Sequence, residues 1–250
     1  MATQEITRLP RLAEAEFHRH FSGRRPVLLP SFVRGSRACA KWSPEYLVSA
    51  IGDKSVQVNY CARALEKTTE GAVKAPAQYF EVTFREAAEL IGNASDVVYF
   101  VMGQPIQRVY PELLDDLDFD ELILRAAPLV SINLWFAAAG HLTPLHYDIF
   151  DNFLNQIIGR KRVTLFSPAD IHYLYDAAQD DAGNPITVNP FDPDYERFPR
   201  FRHATPMEFI LEPGDTLYQP AGWSHQVESL DTTVSVNFFF GDRWSPDGNR

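Results

Sequence analysis

The hydrophobic pattern of the chain changes after residue 128, where apolar and polar positions begin to alternate. Successive side chains of a β-strand point to opposite faces, so a period of two indicates strands with one buried face. Eight short runs show this pattern. They cover residues 130–138, 143–149, 152–158, 161–166, 207–212, 215–219, 224–229 and 232–240.

Eight such strands predict a mainly β fold, a jelly roll in which two antiparallel sheets surround a cavity in a cupin-like arrangement. The segments IIGRKR and LEPGDTLY place a glycine between two runs, and both predict tight turns that join neighbouring strands as hairpins. A long insertion, at about 167–206, separates the fourth run from the fifth. Its prolines and aspartates predict a loop outside the core. Loops of this length are usually functional or mobile.

The first part of the chain has a mixed pattern. Residues 1–95 alternate predicted helices with strands, such as the helix WSPEYLVSAIGD with Ser43 as its cap and the strand SVQVNY. Residues 62–79 are polar and receive no assignment. We expect an α+β elaboration over 1–95 that packs on the strand-rich part, 96–250, within one structural domain.

Charge and the N-terminal pattern limit the class of protein. The net charge of -10 opposes a protein that holds nucleic acid mainly by neutralising phosphates. The first residues mix charges without an apolar stretch, and no run approaches a membrane span of about 20 apolar residues. We therefore expect a cytoplasmic protein without a membrane partner, in which Cys39 and Cys61 are reduced.

The stretch HLTPLHYDIFDNF contains a pair of polar residues with strand spacing. His146 and Asp148 are two apart and so share a face, whereas His141 lies at an odd offset from His146. A single His-x-Asp pair is weak support for a metal site. Non-haem iron sites use two histidines and one carboxylate, which leave positions open for other ligands, so a third ligand is needed.

Five other histidines give few candidates for that ligand. His18 and His20 lie on a predicted surface helix, and His172 and His203 lie in the insertion, where solvation is the simpler interpretation. His225 differs because it begins a strand after the bend Pro-Ala-Gly. It is a candidate ligand, although a buried structural histidine is an equal alternative from the residues alone.

Three segments carry a resemblance to a known family: LTPLHYDIFDNFLNQIIGRKRVTLFSP, NPFDPDYERFPRF and LEPGDTLYQPAGWSHQVESL. They resemble the Jumonji-C (JmjC) hydroxylases, Fe(II)- and 2-oxoglutarate-dependent oxygenases that include an asparaginyl hydroxylase and a wybutosine-tRNA hydroxylase. The resemblance runs from about residue 96 to 243. It implies a double-stranded β-helix, O2 and 2-oxoglutarate as cosubstrates, and Fe(II) bound by His146, Asp148 and His225.

The resemblance also implies a pocket for 2-oxoglutarate, whose far carboxylate needs a cation and hydroxyl donors. Lys161 matches the carboxylate-binding lysine of the family and shares a strand face with apolar residues, while Arg160 and Arg162 fit a solvated turn. The remaining candidates are Thr143, Tyr99, Asn152 and Asn237. Spacing alone favours ordinary roles for two of them, with Thr143 as a turn residue before Pro144 and Tyr99 as a core aromatic.

These expectations define a function and its alternatives. The family resemblance favours hydroxylation of a side chain in a protein or peptide, and the acidic net charge suits a basic partner. Hydroxylation of a modified tRNA base and demethylation of N-methyl-lysine are alternatives with the same chemistry, and Arg197, Arg200, Arg202 and His203 form a small basic cluster. A zinc or manganese cupin enzyme and a non-catalytic cupin binding module are alternatives of other classes.

Overall fold

Two antiparallel sheets form the centre of the molecule in a computed structural model that describes residues 3–62, 78–93, 96–175 and 188–245. The larger sheet has eight strands in the order β1-β10-β7-β12-β5-β4-β2-β3, and the smaller has four in the order β6-β11-β8-β9. The strands are β1 Val27–Leu29, β2 Ser55–Ala62, β3 Gln78–Thr83, β4 Val97–Pro105, β5 Leu129–Ala137, β6 Leu142–Tyr147, β7 Asp151–Ile158, β8 Lys161–Phe166, β9 Met207–Leu211, β10 Thr216–Gln219, β11 Ser224–Ser229 and β12 Thr233–Phe240.

The helices within the described residues are short and lie mainly in the first half of the chain. The α-helices are α1 Glu14–His20, α2 Arg37–Lys41, α3 Pro44–Ile51, α4 Phe84–Gly92, α5 Ile106–Val109 and α6 Glu121–Leu124, and the 3-10 helices are η1 Pro111–Asp116, η2 Pro168–Tyr173 and η3 Pro199–His203. Ser43 caps α3 by accepting from Tyr46 N, as predicted. No helix in the described part of the chain is long and apolar enough to cross a membrane.

The predicted jelly roll is confirmed. Each of the eight predicted runs overlaps one of β5 to β12, four of which lie in each sheet. Strands β4, β2 and β3 continue the larger sheet beyond β5, and β1 continues it beyond β10. Most of the unassigned segment 62–79 lies outside the described residues.

The prediction of two hairpins is wrong. Strand β7 lies in the larger sheet and β8 in the smaller, and the same division separates β9 from β10. Each turn is therefore a corner at which the chain passes from one sheet to the other. Gly159 and Gly214 occupy these corners with φ angles of 68° and 93°, a backbone region that residues with a side chain rarely adopt.

Apolar side chains fill both sides of the larger sheet. Its outer face, with residues such as Leu134, Phe136 and Val236, packs against the N-terminal helices in the largest core cluster. A second cluster, which includes Leu154, Val163 and Leu217, fills one part of the space between the sheets. The helices thus seal the outer face, and the space between the sheets is left for a cavity.

The insertion departs from the predicted loop outside the core. Its described residues bury Leu174, Val188, Phe198 and Phe201 in a third apolar cluster, together with Leu145 and Phe166 of the smaller sheet. The prolines and aspartates of this segment shape turns, but the aromatic residues between them anchor it. The insertion is therefore packed on the outer face of the smaller sheet.

Candidate metal centre and adjoining cavity

The structure brings His146, Asp148 and His225 together at one end of the smaller sheet. His146 is in β6, Asp148 follows that strand, and His225 is the cross-strand partner of His146 in β11. Nε2 of His146 lies 4.0 Å from Oδ1 of Asp148, and Nε2 of His225 lies 3.8 Å from Oδ2. One ligand atom from each residue falls within 4.8 Å of the others. Strand alternation and register therefore place three potential ligands around one point.

A backbone carbonyl oxygen faces Nδ1 of each histidine. Nδ1 of His146 lies 2.8 Å from the carbonyl oxygen of Pro144, and Nδ1 of His225 lies 3.1 Å from that of Trp223. A carbonyl oxygen only accepts hydrogen bonds, so Nδ1 of His146 carries the proton and donates it, whereas Nδ1 of His225 also lies 2.7 Å from Nε2 of Gln219. Nε2 of His146 therefore keeps its lone pair, and Nε2 of both rings faces Asp148, as in metal sites where an outer partner fixes the ring.

Burial sets the charges of this centre. It raises the pKa of Asp148, and it lowers the pKa of His225 well below its usual value, with a further lowering from His146. A neutral His225 is the form that binds a metal, and a bound cation would stabilise the carboxylate that burial disfavours. Two imidazoles and one carboxylate fit Fe(II). Among the described residues, this is the one group of three or more such side chains with the spacing of a metal site.

A cavity between the two sheets adjoins the three ligands. Thr143, Asn152, Lys161 and Asn237 line it. Four of the five residues predicted to bind a cosubstrate therefore lie beside the candidate metal centre.

Tyr99 is the exception and requires a correction. Tyr99 and Val101 are two apart in β4, so their side chains lie on the same face of the larger sheet. Val101 is paired with Phe136, and this face packs against the helices. The ring of Tyr99 lies 6.2 Å from that of Tyr60 and 6.5 Å from that of Phe80, centroid to centroid. The structure therefore places Tyr99 in an aromatic group outside the cavity, in agreement with the alternative of a core aromatic.

Lys161 is the one cation of the GRKR turn that points inward. Arg160 forms an exposed ion pair with Asp231 at 2.8 Å, and Arg162 forms a partly buried one with Glu228 at 2.6 Å. The side chain of Lys161 is buried, and its Nζ donates to Ser235 Oγ at 2.7 Å. Burial lowers the pKa of Lys161 to about 8. Because it forms no ion pair within the described residues, this ammonium favours an anionic ligand.

Several polar atoms at the cavity lack partners. Oδ1 of Asn152, Oδ1 of Asn237 and Nε1 of Trp135 are buried and form no hydrogen bond with any described residue. All three residues line the cavity. A buried polar atom without a partner costs about 1–3 kcal/mol, so the cavity is suited to a polar ligand that supplies those partners.

Sequence reasoning missed Gln219. This residue is buried, lines the cavity and places Nε2 2.7 Å from Nδ1 and 3.5 Å from Nε2 of His225. The amide of Gln219 therefore contacts the imidazole of a candidate metal ligand. The signal was present in TLYQ, where Gln219 shares an inward face with the apolar Leu217.

The other histidines do not join this centre. His141 is buried, and its ring lies 4.0 Å from that of Phe100, centroid to centroid. Burial, and the nearby charge of Lys161, lower its pKa to about 3. His18, His20, His172 and His203 are exposed.

A double-stranded β-helix with two histidines and a carboxylate at one end of its cavity defines a cupin-like protein with a candidate metal centre. The chain belongs to the cupin-like domain family, whose profile matches residues 13–245. The predicted resemblance to JmjC proteins is confirmed. The chain is similar to a protein named for its JmjC domain, to a lysine-specific demethylase and to a tRNA wybutosine-synthesizing protein.

Three relatives illustrate the range of that similarity. Lysine-specific demethylase 8 of Xenopus tropicalis is 30% identical over 219 residues, which cover 86% of this chain and 48% of the relative. tRNA wybutosine-synthesizing protein 5 of Gallus gallus is 32% identical, over 87% of this chain and 70% of the relative. JmjC domain-containing protein F of Dictyostelium discoideum is 34% identical, over 59% of this chain and 36% of the relative. The chain thus spans about half the length of the demethylase that it matches.

Proposed function

We propose that the protein is an Fe(II)- and 2-oxoglutarate-dependent oxygenase that hydroxylates a side chain of a protein or peptide. This proposal rests mainly on the arrangement of three potential ligands, His146, Asp148 and His225, whose ligand atoms lie within 4.8 Å of one another. The cavity beside them also buries a lysine that has no carboxylate partner among the described residues. A purely structural cluster would not require an unpaired ammonium in the same cavity.

The residues have separate tasks in this proposal. His146, Asp148 and His225 would hold Fe(II), and the hydrogen bond from His146 to the carbonyl oxygen of Pro144 fixes that ring in place. Lys161 pairs with the far carboxylate of 2-oxoglutarate, assisted by Ser235, which already orients its ammonium, and by Thr143. Asn152 and Asn237 line the same cavity and would donate their side-chain amide N–H groups to the oxygens of this ligand.

The cavity walls serve the chemistry by excluding water. Leu154, Val227 and Phe239 line the cavity together with the ring of Trp135. When bound, Fe(II) and 2-oxoglutarate supply the reduction of O2 that is coupled to oxidation of a substrate C–H bond. Apolar walls limit the access of solvent to this reaction and favour reaction with a substrate group held at the cavity.

The test is anaerobic addition of Fe(II) and 2-oxoglutarate while a visible charge-transfer absorption is monitored. We expect this absorption with the unmodified protein and its loss in His146→Ala. In Lys161→Ala we expect a weaker absorption at the same concentration of 2-oxoglutarate. Arg160→Ala is a matched control from the same turn, because its exposed side chain pairs with Asp231. No absorption in the unmodified protein would favour a non-catalytic binding module.

The proposed substrate class depends on charge as well as on the family. The relatives are named for lysine demethylation and for tRNA wybutosine synthesis, so their similarity does not by itself select a substrate. A net charge of -10 repels a polynucleotide. This repulsion supports a protein or peptide substrate over tRNA. Removal of an N-methyl group would use the same ligands, because hydroxylation of that carbon releases it.

A further inference from the structure

The connection between β6 and β7 carries the candidate ligand Asp148 outside the regular strands. Tyr147 is the last residue of β6 and Asp151 is the first of β7, so residues 148–150 belong to neither strand. The carboxylate oxygens of Asp148 nevertheless lie 4.0 and 3.8 Å from Nε2 of the two histidine ligands. The position of this carboxylate therefore depends on contacts from other parts of the chain.

Two backbone hydrogen bonds reach this connection from distant segments. The backbone N–H of Gly222 donates to the carbonyl oxygen of Asp148 at 2.9 Å, and that of Trp244 donates to the carbonyl oxygen of Ile149 at 2.7 Å. Gly222 belongs to the bend Pro-Ala-Gly before β11, and Trp244 follows β12. The segment after β12 thus returns to the end of the molecule where the three ligands meet.

The indole of Trp244 packs these segments together. A Cβ added to Gly222 would lie 2.6 Å from Cε2 of the indole, so the ring is in direct contact with the glycine backbone. The ring of Tyr147 lies 5.4 Å from that of Trp244, centroid to centroid, in the edge-to-face arrangement that aromatic pairs prefer. Trp244 therefore contacts the residues before and after Asp148 as well as the glycine that donates to it.

We propose that Trp244 is a positioning residue of the candidate metal centre, which holds Asp148 where its carboxylate meets the two histidines. The inference rests on the proposed function, in which Asp148 is a ligand of Fe(II), and Trp244 itself does not line the cavity. A ligand that is fixed in advance loses little freedom when the metal binds, whereas a mobile ligand must first be ordered. Loss of outer groups that orient a ligand typically weakens metal binding by roughly 10–100-fold.

The surroundings of Trp244 separate this task from a general role in folding. Trp244 is half-buried and lies outside the three apolar clusters that form the cores of the described structure. Its closest neighbour, Gly222, has a φ of 80°, so a side chain there would strain the backbone as well as displace the indole. Removal of the indole should therefore loosen the connection that carries Asp148 and leave both sheets in place.

The experiment measures the dissociation constant of Fe(II) by isothermal titration calorimetry under nitrogen, together with the melting temperature of each metal-free protein. The test variant is Trp244→Ala, and Trp244→Phe is the conservative variant that keeps a flat ring over Gly222. Phe80→Ala is the matched control, because it also removes a half-buried aromatic ring, which lies 5.7 Å from that of Tyr60 in the part of the larger sheet formed by β2 and β3.

We expect Trp244→Ala to bind Fe(II) about tenfold more weakly or worse, because Asp148 is no longer held in place. Trp244→Phe should recover most of this loss, and Phe80→Ala should stay within about twofold of the unmodified protein. The melting temperatures of metal-free Trp244→Ala and Phe80→Ala should be similar. With Fe(II) at saturation, the dependence of the charge-transfer absorption on 2-oxoglutarate should be the same in all four proteins, because Lys161 is unchanged.

Three results would overturn the inference. They are an Fe(II) affinity of Trp244→Ala within about twofold of that of the unmodified protein, an equal weakening in Phe80→Ala, and loss of the fold in metal-free Trp244→Ala, which would make Trp244 a residue of the fold and not of the metal centre. Absence of Fe(II) binding in the unmodified protein would contradict the proposed function as well. The two failures are therefore distinguishable, since the calorimetric measurement requires neither 2-oxoglutarate nor turnover.

Discussion

The ammonium of Lys161 donates to the hydroxyl of Ser235 at 2.7 Å and has no carboxylate partner in the described residues. Burial lowers its pKa from 10.5 to about 8, which corresponds to about 3 kcal/mol against the charged form. This cost is present in full below about pH 8 and disappears as the pH rises through 10.5, because over that interval the unfolded chain binds the proton and the folded chain does not.

Replacement of this residue should therefore stabilise the metal-free protein. We expect Lys161→Met, which keeps the length of the chain and removes the charge, to raise the free energy of unfolding at pH 7 by about 2 kcal/mol, somewhat less than the full cost because Ser235 loses its partner. The gain should shrink as the pH approaches 10.5. Urea denaturation of both proteins at pH 7 and at high pH measures it.

Lys54→Met is the matched control, because Lys54 is exposed and pairs with Glu112 at 2.7 Å on the surface. Its effect should stay within about 1 kcal/mol at either pH. If Lys161→Met destabilises the protein at pH 7 more than this control, the interpretation of Lys161 as an uncompensated buried charge is incorrect.

At the residue scale, strand alternation and the family resemblance together predicted which cation of GRKR points inward, because Lys161 shares a face with Val163 and Leu165. The same rule, applied to TLYQ, would have found Gln219. Tyr99 could not be placed in this way. The resemblance assigns it by position along the chain, whereas its face depends on the pairing of β4 with β5, which the sequence does not contain.

At the scale of elements, the strands of the jelly roll were predictable and their partners were not. Period-two patterning reports that one face of a strand is buried, and each run from 130 to 240 has its strand. A turn that contains glycine predicts that the chain reverses direction. Both a hairpin and a corner between two sheets require such a reversal. Whether such a turn forms a hairpin or a corner depends on the hydrogen-bonding partners of its two strands. Strand β7, for example, pairs with β10 and β12 and not with β8.

The corner at Gly159 gives a test at this scale. Its φ of 68° disfavours any side chain, and an added Cβ would lie 2.3 Å from the carbonyl oxygen of Thr232. We expect Gly159→Ala to lower the free energy of unfolding by about 2–4 kcal/mol, from left-handed strain and displacement of the neighbouring backbone. Thermal or urea denaturation measures the loss.

Gly92→Ala is the comparison, because Gly92 ends α4, has no positive φ and leaves space for a Cβ. A change to alanine there should be neutral or stabilise by up to about 1 kcal/mol through helix propensity. Similar effects of the two substitutions would show that the corner imposes no special backbone requirement.

At the scale of the whole molecule, the cavity concentrates groups that oppose folding. Asp148 and Lys161 are ionisable groups whose charged forms burial disfavours, and the amide oxygens of Asn152 and Asn237 lack partners among the described residues. The core clusters on either side of the larger sheet must outweigh these costs. Ligands that bind only the folded state and satisfy these groups should therefore stabilise the entire fold.

This coupling predicts the response of the melting temperature to metal. At a free concentration of about one hundred times its dissociation constant, a ligand adds about 2.7 kcal/mol, or roughly 5–10 °C for a chain of this size. We expect Fe(II), added anaerobically, to raise the melting temperature by this order, 2-oxoglutarate to raise it further, and a chelator to reverse both changes. Differential scanning calorimetry under nitrogen measures all three states.

Two variants separate the metal contribution from that of 2-oxoglutarate. Asp148→Asn should melt higher than the unmodified protein without metal, because it removes a disfavoured buried carboxylate, and should lose most of the shift with Fe(II). Lys161→Met should keep the metal shift and lose the increment from 2-oxoglutarate. Asp118→Asn, an exposed aspartate paired with Arg37, should keep both. A full metal shift in Asp148→Asn would mean that the ion binds elsewhere, since the remaining two histidines supply only part of the ligand set.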